Sequence, residues 1–210
     1  RDIPCEVRLV RLPPLDRALV RGSIIDVSDR RQAELRQLMM ARELDHRVKN
    51  NLAEVLALVE QSGTSASSYE EFREAFAGRV RAMARTHEAL AARHWRGVPL
   101  REVADLILEP YAGSGDDRIV KRGDSVVLAP TASSALGMML HELAANAAKH
   151  GALAVAAGCV DLSWRREQNG DLEIVWRERG GPPVARPERE GFGMRLVRGV
   201  VTHELGGTLA

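Results

Sequence analysis

Two apolar stripes at helical spacing, separated by a serine-rich break, constrain this chain more than any other feature. Leu44, Val48, Leu52, Val55 and Val59 recur at three- and four-residue steps, which lays them along one side of a helix. Ser62-Gly-Thr-Ser-Ala-Ser-Ser68 then supplies the turn-forming residues that end it. Tyr69, Phe72, Phe76, Val80, Met83, His87 and Leu90 make a second stripe at near-heptad spacing. A short connection between two such helices predicts an antiparallel hairpin over residues 31–96. Each stripe needs apolar cover. Pairing with a second copy into a four-helix bundle would supply it, and a monomer is the alternative.

The flanking regions are patterned differently. Residues 1–30 alternate like strands, from Cys5 to Leu12 and from Ala18 to Val27, with Pro13 and Pro14 between them. Two strands alone are marginally stable, so this β-hairpin reads as the end of something larger. Residues 97–210 mix types. Helices are expected over Pro99–Pro110, Pro130–His150 and Gly193–Leu205, and short strands over Arg118–Val120 and Ser125–Leu128. Val160–Arg166 and Leu172–Arg177 alternate like paired strands joined at Asn169-Gly170, a strong hairpin signal. Helices mixed with antiparallel strands in this order predict an α+β fold, a two-layer sandwich following the helical hairpin.

Composition narrows the function class. The 30 basic and 29 acidic residues nearly cancel, which leaves no electrostatic case for nucleic acid. Cys5 and Cys159 stand far apart with no partner at metal-ligand spacing, so a reducing, cytoplasmic setting is expected. The longest apolar run, near Ala152–Val160, is too short and glycine-broken to span a bilayer, and no signal-peptide pattern opens the chain.

Three places can carry chemistry. In Leu140-His-Glu-Leu-Ala-Ala-Asn-Ala-Ala-Lys-His-Gly-Ala-Leu153, the residues Glu142, Asn146, Lys149 and His150 follow at helical steps and share one face. An amide oxygen can coordinate a hard Mg²⁺ and a lysine can neutralise phosphate oxygens. A solvated helix face is the competing reading. Two glycine clusters follow: Glu178 precedes the turn at Gly180 and Gly181, and Gly191-Phe-Gly193 opens a helix whose first N–H groups could face a phosphate. Last, His46 falls between Leu44 and Val48 and so points away from the apolar stripe. A neutral imidazole is a competent nucleophile, and Asp45 could hold its tautomer, although helix neighbours diverge by about 100°. An ordinary surface histidine is the alternative. His87, inside the second stripe, reads as a core or interface histidine.

These residues resemble the motifs of the HWE sensor histidine kinases, two-component kinases with a GHKL-type ATP-binding domain. The subclass is named for a His in the helical N-box and a Trp-x-Glu motif, here His141 and Trp176 with Glu178. The phosphoacceptor box is similar to Asp45-His-Arg-Val-Lys-Asn-Asn51, and the last glycine box to Gly191-Phe-Gly-Met-Arg-Leu196. The resemblance runs from about residue 35 to 210. It implies that His46 is autophosphorylated, that Asn146 binds Mg²⁺ and that Glu142 assists catalysis or orders the metal's water shell. It also implies that Lys149 and His150 lie near the phosphates of ATP and that Glu178 replaces the Asp that usually binds the adenine amino group. Gly180, Gly181, Gly191 and Gly193 would shape the pocket and a short lid. Residues 1–30 look like the tail of a PAS sensor domain, and the family pattern implies a further strand beyond Ala210.

The function so implied is autophosphorylation of His46 from Mg-ATP, followed by transfer to an Asp of a response regulator. A GHKL ATPase coupling hydrolysis to conformational change shares the polar helix but gives no reason for Asp45–Asn51. A non-catalytic phosphotransfer module would need the hairpin but no nucleotide site.

Overall fold

The computed structural model describes residues 3–11, 20–63, 68–112, 118–183 and 191–209. Most of the serine-rich break, the prolines between the first two strands and most of the expected lid lie outside them. Contacts divide the chain into two compact units, Arg1–Val55 and Leu56–Ala210.

In the first unit, β1 (Cys5–Arg11) pairs antiparallel with β2 (Val20–Asp26), in register from Cys5 opposite Asp26 to Arg11 opposite Val20. Asp26 ends β2 and starts α1 (Ser28–Gly63), because its Oδ1 accepts the Ser28 amide N–H at 2.8 Å. Hydrogen bonds from the Ser28 side chain and amide hold the Asp26 carboxyl below the usual range. Such an acceptor satisfies one of the N–H groups that every helix start leaves free. The α1 stripe is open to solvent, with Leu44, Val48 and Leu52 at 64%, 55% and 59% exposure.

The second unit holds the core. It begins with the last turns of α1 and continues through α2 (Tyr69–Ala92), β3 (Val98–Pro99), α3 (Leu100–Ala112), β4 (Ile119–Gly123), β5 (Val127–Leu128), α4 (Pro130–Lys149), β6 (Cys159–Arg166), β7 (Leu172–Arg179) and α5 (Phe192–Gly199). A wider π-type turn at Val200–Glu204 continues α5. Ser68 caps α2 by accepting the Glu71 N–H at 3.1 Å, and Pro130 opens α4 where its missing donor costs nothing.

The main sheet has the order β4-β6-β7, with β4 parallel and β7 antiparallel to β6. β3 and β5 form a separate antiparallel pair. Alternation along β6 buries Val160, Leu162 and Trp164 in one cluster with Val103 and Ile107 of α3 and Leu136, Leu140 and Ala144 of α4. The expected α+β mixture of helices and strands is therefore present. Gly170, at φ 95°, makes the predicted turn between β6 and β7. The turn is longer than a two-residue hairpin, since the last paired residues are Arg166 and Leu172.

One expectation needs correcting. The buried face of α2 is Arg79, Ala82, Thr86, Ala89 and Leu90. Of the predicted stripe only Leu90 belongs to it; Tyr69 is 71% exposed, and Phe72, Phe76, Val80, Met83 and His87 are half-buried. The cause is close approach of α2 to α4: a Cβ on Gly137 would lie 2.6 Å from Thr86 Oγ1, and one on Gly78 would lie 2.9 Å from His141 Nε2. Helices this near one another need small residues at the seam, which Ala82, Thr86 and Ala89 supply in place of the bulkier stripe.

Candidate nucleotide site

A cleft of ≈ 1070 Å³ opens in the second unit between α2, α3, α4, Trp176 and Glu178 of β7 and the glycine-flanked start of α5. Its walls include Glu142, Asn146, Lys149, His150, Glu178, Gly191 and Gly193, so most of the predicted binding residues converge. The convergence follows from helical spacing on α4 and from the seating of α5. A Cβ on Gly193 would stand 2.7 Å from Glu142 Oε2 and 3.3 Å from Asn146 Nδ2. Gly180 and Gly181 do not line the cleft directly. Gly180 turns the chain at φ 69°, and Gly181 packs where a Cβ would meet the Ala152 backbone at 2.8 Å. Both hold the end of β7 against the loop after α4.

The four polar residues of α4 do not form one solvated face. Glu142 is 5% exposed and paired with Arg79, equally buried. Nε of Arg79 donates to Oε1 at 2.7 Å and Nη2 donates to Oε2 at 3.1 Å, while Nη1 donates to Ser62 Oγ at 2.6 Å. Asn146 is half-buried, and Lys149 and His150 are exposed. The side chains of Asn146 and Lys149 have no hydrogen-bonding partner among the described residues. No group of three His, Cys, Asp or Glu residues that could hold a metal occurs among the described residues.

Glu178 is engaged by its surroundings. Its Oε2 accepts the Ala152 amide N–H at 2.7 Å, and its Oε1 accepts the Trp176 indole N–H at 3.1 Å. Trp176 and Glu178 are two apart on β7 and so point to the same side. The Trp-x-Glu pair thus acts as one hydrogen-bonded unit that ties β7 to the start of the loop after α4. A carboxylate oxygen retains further acceptor capacity beyond one bond.

His141 is held on both sides. The Tyr111 hydroxyl lies 3.0 Å from Nδ1, and Gly78 leaves room for the opposite edge of the ring. Burial lowers the His141 pKa from its ordinary value, and burial pushes Tyr111 up to about 12.

His46 is exposed on α1, in the first unit. Its Nδ1 is 3.5 Å from Asn50 Nδ2, at the outer limit of a hydrogen bond. Asp45 departs from expectation: its carboxylate accepts from Lys49 Nζ at 2.7 Å rather than holding the imidazole. Residues four apart share a helical face and adjacent ones do not. Arg79 and Tyr111 went unnoticed in the sequence, where neither sits in a motif and their partners lie 63 and 30 positions away.

Comparison with known proteins adds an independent line. The HWE histidine kinase family model matches residues 43–125. The chain is 35% identical over 187 residues to a blue-light-activated histidine kinase of Brucella anthropi, covering 88% of this chain and 38% of that protein. A blue-light-activated histidine kinase of Brucella ovis is 32% identical over 190 residues, covering 89% of this chain and 39% of the relative. The chain thus spans well under half the length of these curated relatives. Among solved structures, the histidine kinase domain of the Erythrobacter litoralis EL346 blue-light activated histidine kinase superposes with a TM-score of 0.52 at 24% identity, over 83% of this chain and 84% of that one. The longer EL346 chain gives a TM-score of 0.50 at 22% identity, over 95% and 64%. At that identity the likeness speaks to the fold.

Proposed function

The chain belongs to the HWE histidine kinase family, whose pattern residues 43–125 carry, and from that premise we propose that it transfers the γ-phosphoryl group of ATP to its own His46. The observation that carries this reading is the convergence of Glu142, Asn146, Lys149, His150, Glu178, Gly191 and Gly193 on one cleft. Its size is close to the roughly 300–1,000 Å³ typical of small-molecule sites. In this reading the second unit is a GHKL-type α/β sandwich and residues 1–30 are the end of a PAS domain.

The residues suit Mg-ATP. Mg²⁺ bound to a nucleotide takes most of its ligands from phosphates and water, so one or two protein oxygens suffice. Asn146 would supply one, in space that the missing Cβ of Gly193 leaves open. The ion would neutralise charge on the triphosphate when bound. Lys149 and His150, exposed at the end of α4, would face the phosphates, and Glu178 would meet the purine edge.

His46 would attack the γ-phosphorus in line through an imidazole nitrogen. The new N–P bond forms as the bond to the bridging oxygen breaks, and ADP departs with the electron pair. Positioning and electrostatics account for most of the acceleration in such transfers. The phosphoramidate is then passed to an Asp of a response regulator docked on the helices. A second copy of the chain covers the exposed α1 stripe, and the reaction takes place in the cytoplasm. Incubation with γ-labelled ATP should give acid-labile label on His46. His46→Ala should abolish that label while Mg-ATP binding persists. Label retained in His46→Ala would defeat the assignment, and free phosphate released without phosphoprotein would favour an ATPase.

A further inference from the structure

The most buried polar contact of the cleft joins α2 to α4. Arg79 grips Glu142 with two donors, and its third nitrogen reaches Ser62 at the end of α1. A planar fork against a planar carboxylate fixes orientation as well as distance, which a single ammonium cannot do. Burying such a pair strips water from two ions, and packed hydrocarbon of similar volume often joins helices as well. Stability alone is therefore a weak reason for an ion pair here.

The other contacts of the same carboxylate give a stronger reason. Glu142 Oε2, the atom held by Arg79 Nη2, is also the one facing Gly193, with Asn146 Nδ2 beside it. We infer that Arg79 is a positioning residue for phosphoryl transfer: it sets the plane of the Glu142 carboxylate beside Asn146 and makes that setting depend on α2 and the end of α1. This rests on the kinase reading above and deepens it, by naming a control point outside the N-box and glycine boxes. A shift of α2 along α4 would bend the fork and turn the carboxylate, with the nucleotide pocket otherwise intact. Gly78, one residue before Arg79, lets α2 approach His141 closely, so adjacent residues of α2 contact adjacent residues of the N-box.

The test compares wild type, Arg79→Lys, Arg79→Gln and Glu142→Gln in the whole chain. Labelling rate at saturating ATP, Mg-ATP affinity and melting temperature are measured for each. Arg79→Lys keeps the buried charge and removes the fork, so it decides the matter if Arg79→Gln fails to fold. The expected result is a folded Arg79→Lys that binds Mg-ATP within about threefold of wild type yet labels about 10²-fold more slowly, the scale of a misplacement near 1 Å. Glu142→Gln should fall to a similar rate. Full-rate labelling by either folded Arg79 variant would overturn the inference. So would a loss seen wholly as weaker Mg-ATP binding with the saturated rate unchanged. A wild type that binds Mg-ATP but labels no histidine would sink the kinase reading, and this inference with it.

Discussion

His141 sits between the Tyr111 hydroxyl and the bare backbone of Gly78, and this confinement has a consequence for pH. Burial lowers its pKa below the ordinary 6.5; Glu142 pulls it upward, and Arg79, Arg81 and Arg85 push it down further. The folded protein resists protonating this ring, while the unfolded chain accepts the proton below about 6.5. Stability that is present above the unfolded value is therefore lost as pH falls through the folded one. His87, packed edge-on against Trp95 and lowered by burial, acts in the same direction. Urea midpoints should fall between about pH 7.5 and about pH 5.5, and His141→Asn should flatten that slope. An unchanged slope in the variant would show that another group is responsible. At this scale motif and spacing single out His46 and Asn146 as candidates, and the structure brings Asn146 to the cleft, whereas the Asp45–Lys49 pair had to be seen. Arg79 was invisible, since no local pattern separates a buried arginine from a solvated one.

Among the elements, α4 was the most legible, with an N-terminal proline and a polar row that spacing alone arranges. Its partners were not. The aromatic stripe of α2 draws the eye, yet the helix packs through Ala82, Thr86 and Ala89. Phe72 and Phe76 stack on one another instead, with centroids 5.8 Å apart. The first turn of α5 reaches the cleft through Gly193, beside Glu142 and Asn146. Glu142 is pinned by Arg79 and cannot easily yield to a methyl group, so Gly193→Ala should move α5 rather than the carboxylate. We expect Mg-ATP affinity to fall about tenfold, a cost near 1.4 kcal/mol, with the melting temperature little changed. Isothermal titration of nucleotide into the variant checks this, and wild-type affinity would mean that α5 does not close the site.

For the whole molecule, burial is unevenly divided. No described residue before Leu56 is buried, whereas the buried apolar side chains run from Leu58 to Val200. A two-stranded hairpin and a helix with an open stripe cannot form a core of their own. The second unit has its core already. Removing residues 1–55 should accordingly leave the melting temperature of the remainder within about 3 °C, because a change of 1 kcal/mol shifts a domain of this size by only a few degrees. A large drop in differential scanning calorimetry would show that the first unit supports the second.

Local pattern determined most element types and singled out Asp45–Asn51, the polar row of α4 and the glycine clusters as candidates, because helical periodicity and turn chemistry act over a few positions. Tertiary structure alone decided which face of α2 is packed, that Trp176 and Glu178 hold a loop together, and that Arg79 restrains Glu142. Those outcomes depend on how closely two distant segments approach, and that distance is set by the summed packing of the core rather than by any neighbouring residue.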